Sequence, residues 1–213
     1  MEPLIRITAR AAVLARDNVD TDQIIPGRFL RKPREPGYHH WLFHDLRRRA
    51  DGGLDPDFVL NRAADPPPRI LIAGRNFGCG SSREGAVYAL VDAGFRVILA
   101  AGFGDIFRGN CRKNGVLAAV LAPEAVARLG LLLAGAPEAP VTVDLDACKV
   151  SLSEGPAWPL EVDPFTRDSL LAGRDDIAMT LAESRAIDAA FEDALDREPW
   201  LDQGASSGTN LVP

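Results

Sequence analysis

Cysteine, histidine and long apolar runs are all scarce in this chain. Its 213 residues hold three cysteines, Cys79, Cys111 and Cys148, with no Cys-x-x-Cys pair and an odd total. Such a set argues against a disulfide framework and resembles cytosolic thiol usage. It is also too scattered to ligate an iron–sulfur cluster within the chain. The only histidines are His39, His40 and His44. No apolar run approaches the roughly 20 residues that cross a bilayer, and Arg6, Arg10 and Arg16 interrupt the N-terminal segment, so neither a membrane span nor a signal peptide is expected. Positive charge is short as well: 30 acids face 24 Lys plus Arg, a net charge of −6 that disfavours a nucleic-acid binder. The expectation is a cytoplasmic protein without internal repeats or low-complexity segments.

What is present suffices for a core, since 46% of the residues are hydrophobic. The charge is uneven. Between Arg28 and Arg49, seven basic residues stand against Glu35 and Asp45, a local net of +5 where anions would be welcome. From Glu161 to Asp202, twelve acids and four arginines net −8, which suits a solvated face.

Residues 4 to 15 alternate and read as one strand, leading into the polar run Asp17-Asn18-Val19-Asp20-Thr21-Asp22 and the breakers Pro26-Gly27. Residues 31 to 69 read as a long irregular excursion. Ile70 to Ala73 is a continuous apolar run, expected as a strand covered on both faces, and a glycine-rich loop from Gly74 to Gly80 follows it. A helix with Ala86, Val87, Leu90 and Val91 on one stripe and a strand from Arg96 to Ala101 complete a βαβ unit. A short helix from Asp105 to Lys113, a strand from Val116 to Leu121 and a helix opened by Pro123 come next. After Pro140 the pattern predicts an antiparallel hairpin, 141–145 with 149–153, and a third strand at 157–162. Helices at 165–172 and 183–195 follow, the second with Ile187, Ala190, Phe191, Ala194 and Leu195 facing inward. The whole reads as one α/β domain over residues 1–200, with parallel and antiparallel sheet portions and a loose tail at 201–213.

The segment richest in chemistry is Asn76-Phe77-Gly78-Cys79-Gly80-Ser81-Ser82-Arg83-Glu84, at the carboxyl end of a buried strand where open α/β sheets place ligands. If Ser81 or Ser82 caps the helix that follows, unpaired amides and the positive end of its dipole converge there. Arg83 adds a planar fork suited to a carboxylate. The plainer reading is a capped helix and a paired arginine. A dinucleotide site fits less well, because Arg83 stands where the third glycine of Gly-x-Gly-x-x-Gly belongs. Cys79 sits in a strand-to-helix turn that favours thiolates, yet Phe77 replaces the first glycine of a nucleophile elbow and the histidines lie in the distant excursion. His40 and His44 could share a helix face as metal ligands but lack a third partner. Asp17, Asp20 and Asp22 could bind a hard cation, and local turn chemistry explains them equally well.

Three blocks, DNVDTDQIIP at 17–26, NFGCGSSRE at 76–84 and FGDIFRGN at 103–110 followed by Asn114-Gly115, resemble in order and spacing the small subunits of 3-isopropylmalate dehydratase. These are the separately encoded counterparts of the swivelling domain of the aconitase superfamily, and the resemblance extends from about Leu4 to Trp200. It implies a three-layer β/β/α swivelling domain and a hydro-lyase of leucine biosynthesis that interconverts 2- and 3-isopropylmalate through a dehydrated intermediate. It also implies a large-subunit partner carrying a [4Fe-4S] cluster, with none bound by this chain, and a small dicarboxylate substrate. By motif match Ser81 is the catalytic base, with Ser82 and Arg83 holding substrate oxygens and Arg31 or Arg34 supplying a further substrate contact. Gly85 departs from the histidine of many relatives. The basic loop lies where relatives differ in substrate selection, so homoaconitate, citraconate or dimethylmalate could replace isopropylmalate.

Overall fold

A corner at Arg10 organises the amino-terminal part of the molecule. The structure, a computed structural model, describes residues 1–62, 64–152, 155–198 and 200. The segment expected as one strand is two, β1 (Arg6–Ala9) and β2 (Ala11–Leu14), and they belong to different sheets. At the corner, the Arg10 carbonyl accepts from the amides of Arg69 (3.2 Å) and Ile70 (3.4 Å), and its guanidinium donates to the Asp65 carbonyl at 3.2 Å. The expectation fails for a physical reason. Alternation records that successive side chains point to opposite sides, not which sheet the backbone is hydrogen-bonded into.

The long polar run after β2 contains one short helix, α1 (Thr21–Ile24), closed by a capping box in which Asp20 accepts from the Gln23 amide and Gln23 reaches back to the Asp20 amide. The chain then makes its excursion through short 3-10 turns and returns as β3 (Ile70–Ala73), α2 (Glu84–Asp92), β4 (Val97–Ala100), α3 (Asp105–Lys113) and β5 (Leu117–Val120). Strands β2, β3, β4 and β5 form a parallel sheet in that order. After α4 (Pro123–Gly135), strands β6 (Val141–Asp144), β7 (Lys149–Leu152) and β8 (Ala157–Pro159) join β1 in an antiparallel sheet of order β1-β6-β7-β8.

The parallel strands are covered on both faces, as their unbroken apolar runs require. Leu71, Ala73, Ile98 and Ala100 pack with α2, α3 and the excursion, whose Tyr38, Leu42, Phe43 and Phe58 are buried in the same cluster. Ile70, Ile72, Val97 and Leu99 pack on the other face with α4, the antiparallel sheet and Leu170 of α5 (Pro164–Ala172). The architecture is therefore α/β, with helices and excursion, parallel sheet, and antiparallel sheet with α4 as successive layers. Each fully buried leucine or isoleucine contributes about 1.5–3 kcal/mol relative to exposure, so this central sheet is the rigid frame for the loops at its carboxyl ends.

The chain divides into two compact units, residues 1–175 and 176–213. In the second, α6 (Asp176–Ala182), which the sequence reading missed, precedes α7 (Ser184–Arg197). The stripe expected to face inward on α7 does not: Ile187 is 48% and Phe191 60% exposed, Ala190 is exposed, and Ala194 and Leu195 are half-buried. Helical periodicity identifies an apolar face without saying what covers it. Positions 201–213, read as a tail, lie outside the described residues. Among the described residues no helix is long and apolar enough to cross a membrane.

Candidate active site

Parallel order places the loops that follow β2, β3 and β4 side by side at one edge of the sheet. The β2 and β3 loops are laced together by backbone bonds from Asn18 N to Arg75 O (2.8 Å), Gly78 N to Val19 O (2.7 Å) and Thr21 N to Cys79 O (2.9 Å). The β3 and β4 loops are joined from Phe77 N to Gly102 O (2.9 Å) and from Gly104 N to Phe77 O (3.0 Å). Side chains reinforce this lacing. Asp17 accepts from the Arg75 amide and guanidinium, and the Asn76 amide group donates to Asn18 Oδ1 at 3.0 Å. Gly78 has φ +71°, and a Cβ there would stand 2.2 Å from the Phe107 ring of α3, so only glycine lets this loop lie on α3. The three sequence blocks are thus one structure.

On this base sits the serine–arginine turn. Thr21 Oγ1 donates to the Ser81 carbonyl at 2.8 Å, fixing the backbone while leaving the Ser81 side chain exposed. Neither Ser81 nor Ser82 caps α2: the N-cap is Arg83, with no capping side chain, which corrects the sequence expectation. One residue, Arg83, separates the serines from the start of helical geometry at Glu84, and both hydroxyls remain without an intramolecular hydrogen bond among the described residues. They stand just outside the first turn of α2, whose free amides carry the positive end of the dipole.

Arg83 donates through Nη1 to Asp22 Oδ1, the same oxygen that accepts from the Gly27 amide at 2.8 Å. The Arg83 guanidinium, and after it the Gly27 amide, hold the Asp22 carboxyl below the usual carboxylate range. The plainer reading of Arg83, a pairing with a nearby acid, is therefore met, but through one nitrogen only. Next along α2, Glu84 accepts from Asn114 Nδ2 at 3.0 Å, which ties the start of α2 to the end of α3.

The basic loop resolves into residues with different tasks. Arg28 pairs with Asp45, which also accepts from His44 Nδ1 at 2.8 Å, and these contacts, Arg28 first, hold the Asp45 carboxyl at about 2. Arg34 forks onto Asp92 through Nε (3.1 Å) and Nη2 (2.7 Å) and stacks on Tyr88 at 4.4 Å. Asp92 ends α2, eight residues beyond Glu84 and so about 12 Å along the axis. The structure does not bring Arg34 to the serines. Arg31 is exposed and makes no ion pair or hydrogen bond among the described residues. Its neighbour Leu30 places Cδ2 3.0 Å, and Tyr38 its Oη 2.9 Å, from where a Cβ on Gly85 would stand. Two side chains of the excursion therefore fill the space a larger residue at 85 would take. Tyr38 was missed because nothing in its irregular surroundings marks it.

The other candidates separate. Asp17, Asp20 and Asp22 are engaged by Arg75, by the Gln23 amide and by Arg83 with Gly27 respectively. His39 and His40 meet with ring centroids 4.2 Å apart and planes tilted by 43°, His44 lies between Arg28 and Asp45, and none bonds Cys79. Cys111 is fully buried in α3, where desolvation pushes its thiol far up. Cys148 lies in the β6–β7 turn and donates to the Leu145 carbonyl at 3.4 Å. Cys79 is alone in the serine loop, and no cluster of three or more metal-ligating side chains occurs among the described residues. These residues do not fit an iron–sulfur cluster, so no chemistry is assigned to one held by this chain. A groove of about 1150 Å³ between β2, α4 and the excursion is lined by neither serine.

Comparison with known proteins bears on the family and the fold. Residues 1–124 match the family model of the aconitase C-terminal domain. A 3-isopropylmalate dehydratase small subunit from Cereibacter sphaeroides is 42% identical over 201 residues, covering 94% of this chain and all of that relative. The chain belongs to the 3-isopropylmalate dehydratase small-subunit family. Another small subunit of the family, from Anaeromyxobacter dehalogenans, is 48% identical over 192 residues, 90% of this chain and 98% of the relative. A crystal structure of 3-isopropylmalate dehydratase from Methanocaldococcus jannaschii matches with a TM-score of 0.62 at 26% identity, covering 87% of this chain and 99% of that one. The small-subunit family is thus recognisable at the level of sequence and of fold, and the aconitase-type α/β expectation holds.

Proposed function

We propose that this chain is the cytoplasmic small subunit of a 3-isopropylmalate dehydratase, active with a large subunit that carries a [4Fe-4S] cluster. The reaction it serves interconverts 2- and 3-isopropylmalate by loss and return of water. The observation that carries this reading is the exposed Ser81 hydroxyl, unspent by helix capping and two residues before Arg83, on loops at the carboxyl ends of the parallel strands.

Removing a proton beside a carboxylate develops enolate-like charge, so the site must stabilise negative charge on both base and substrate. Ser81 is the base in this proposal. The first-turn amides of α2 and the Arg83 guanidinium supply the positive field for its alkoxide once a companion surface excludes water. Ser82 and Arg83 hold the substrate carboxylate, the arginine as a planar fork. Of the two loop arginines, Arg31, exposed and without an ion pair among the described residues, is assigned the second anionic contact in this proposal; Arg34 is spent on Asp92. The electrophile for the departing hydroxyl comes from the partner, so neither subunit is competent alone.

The test is co-expression with a cluster-bearing large subunit and anaerobic assay against isopropylmalate, homoaconitate, citraconate and dimethylmalate. Turnover of isopropylmalate in preference to the other three is expected; preference for another diacid would reassign the substrate. A Cys79-dependent hydrolase would be active without any partner and sensitive to Cys79→Ser, whereas here the isolated chain is expected to be inert.

A further inference from the structure

We infer that Asp22 is a positioning residue that aims Arg83 at the substrate. The inference rests on the function proposed above and adds to it the residue that decides which edge of the guanidinium a diacid meets.

A guanidinium offers two bidentate edges, one made by Nε and Nη2 and the other by the two Nη nitrogens. Asp22 Oδ1 takes Nη1. Nε and Nη2 of Arg83 have no hydrogen-bond partner among the described residues, so the Nε/Nη2 edge is left whole for a carboxylate. Arg34 shows the contrast in the same molecule: its Nε/Nη2 edge is closed by Asp92. The Arg83 side chain is 21% exposed and that of Asp22 58%, so the pair sits at the rim with the arginine largely sheltered.

The same oxygen also accepts the Gly27 amide, the first residue of the turn that leads into Arg28, Leu30 and Arg31. A Cβ on Gly27 would stand 3.3 Å from Asp22 Oδ1 and 3.6 Å from Arg83 Nη1, so the loop backbone lies directly against the pair. One carboxylate oxygen thus sets both the aim of Arg83 and the root of the arginine loop. A rim ion pair adds little stability, so its consequence is geometric: without it the guanidinium rotates about its terminal torsions and its fork no longer faces one way.

The experiment uses the assembled two-subunit enzyme. The carboxylate held by Arg83 is present in substrate and transition state alike, so Asp22→Asn should raise KM about tenfold with kcat within about threefold. In an Arg83→Lys background the same change should add less than about twofold, because the group being aimed is gone. An unchanged KM in Asp22→Asn, or a tenfold penalty that persists in the Arg83→Lys background, would overturn the inference. A second readout needs no turnover. In the free chain the Arg83 Nη nitrogens should give separate NMR signals that merge in Asp22→Asn; signals that stay separate would overturn it too. An assembled wild-type enzyme inert toward every diacid would instead count against the proposed function, and the NMR outcome would still decide the role of Asp22.

Discussion

The two ends of α2 use the same residue types to opposite purposes. At its carboxyl end Arg34 spends its best edge on Asp92, rests on Tyr88, and Gly94 turns the chain at φ +93°. At its amino end the serines are uncapped, and Arg83 spends one nitrogen and keeps its other edge. A closed pair staples the excursion to the helix, while a half-open pair leaves Nε and Nη2 without a partner among the described residues. The difference separates an arginine whose Nε/Nη2 edge is closed from one whose Nε/Nη2 edge is open, which residue type alone does not do.

The comparison is broken most severely by Ser81→Ala. Turnover of the assembled enzyme should fall by about 10³-fold or more while the subunits still associate, since a positioned base contributes about 10²–10⁴; an undiminished kcat would remove Ser81 from catalysis. Next, Arg83→Lys should lower kcat/KM by about 10²-fold, because an ammonium cannot reproduce a fork; steady-state kinetics with an equal subunit ratio checks it. The paired changes Arg31→Ala and Arg34→Ala sharpen the contrast. Arg31→Ala should raise KM about tenfold at unchanged melting temperature. Arg34→Ala should leave KM within about twofold and cost about 1 kcal/mol or less of stability, as expected for a partly exposed ion pair.

The smallest effect concerns acid stability. Asp45, held at about 2 by Arg28 and His44, has a folded pKa below its ordinary value of 3.8. The stability it contributes is complete above that ordinary value and is lost as pH falls through the folded one. Asp45→Asn should therefore flatten the fall of the unfolding midpoint between about pH 4 and 2, with little change at neutral pH. An identical acid limb in the two proteins would mean the pair is already open in solution.

Much of the fold was legible because its signals are local. Ile70–Ala73, Val97–Ala100 and Leu117–Val120 are unbroken apolar runs separated by helices of recognisable period, and such runs require a sheet covered on both faces. The corner at Arg10 was not legible, because one alternating pattern serves two sheets equally well. Nor was the exposure of Ile187 and Phe191 on α7, since amphipathicity does not name its cover. In the site, the serines and Arg83 stood out by residue type and spacing. The pairing of Arg34 did not, because it depends on Asp92, which is distant in sequence.

By itself the sequence determined the parallel core, the glycine-rich turn and the three blocks that mark the family, all encoded within short stretches of chain. Tertiary structure alone decided which hydroxyls are unspent, which arginine is already paired and which edge of Arg83 remains free. Those facts are set by partners 58 to 61 residues away, Arg34 with Asp92 and Asp22 with Arg83. Hydrogen bonds between such distant positions depend on angle and distance in space, and a linear order of residue types carries neither.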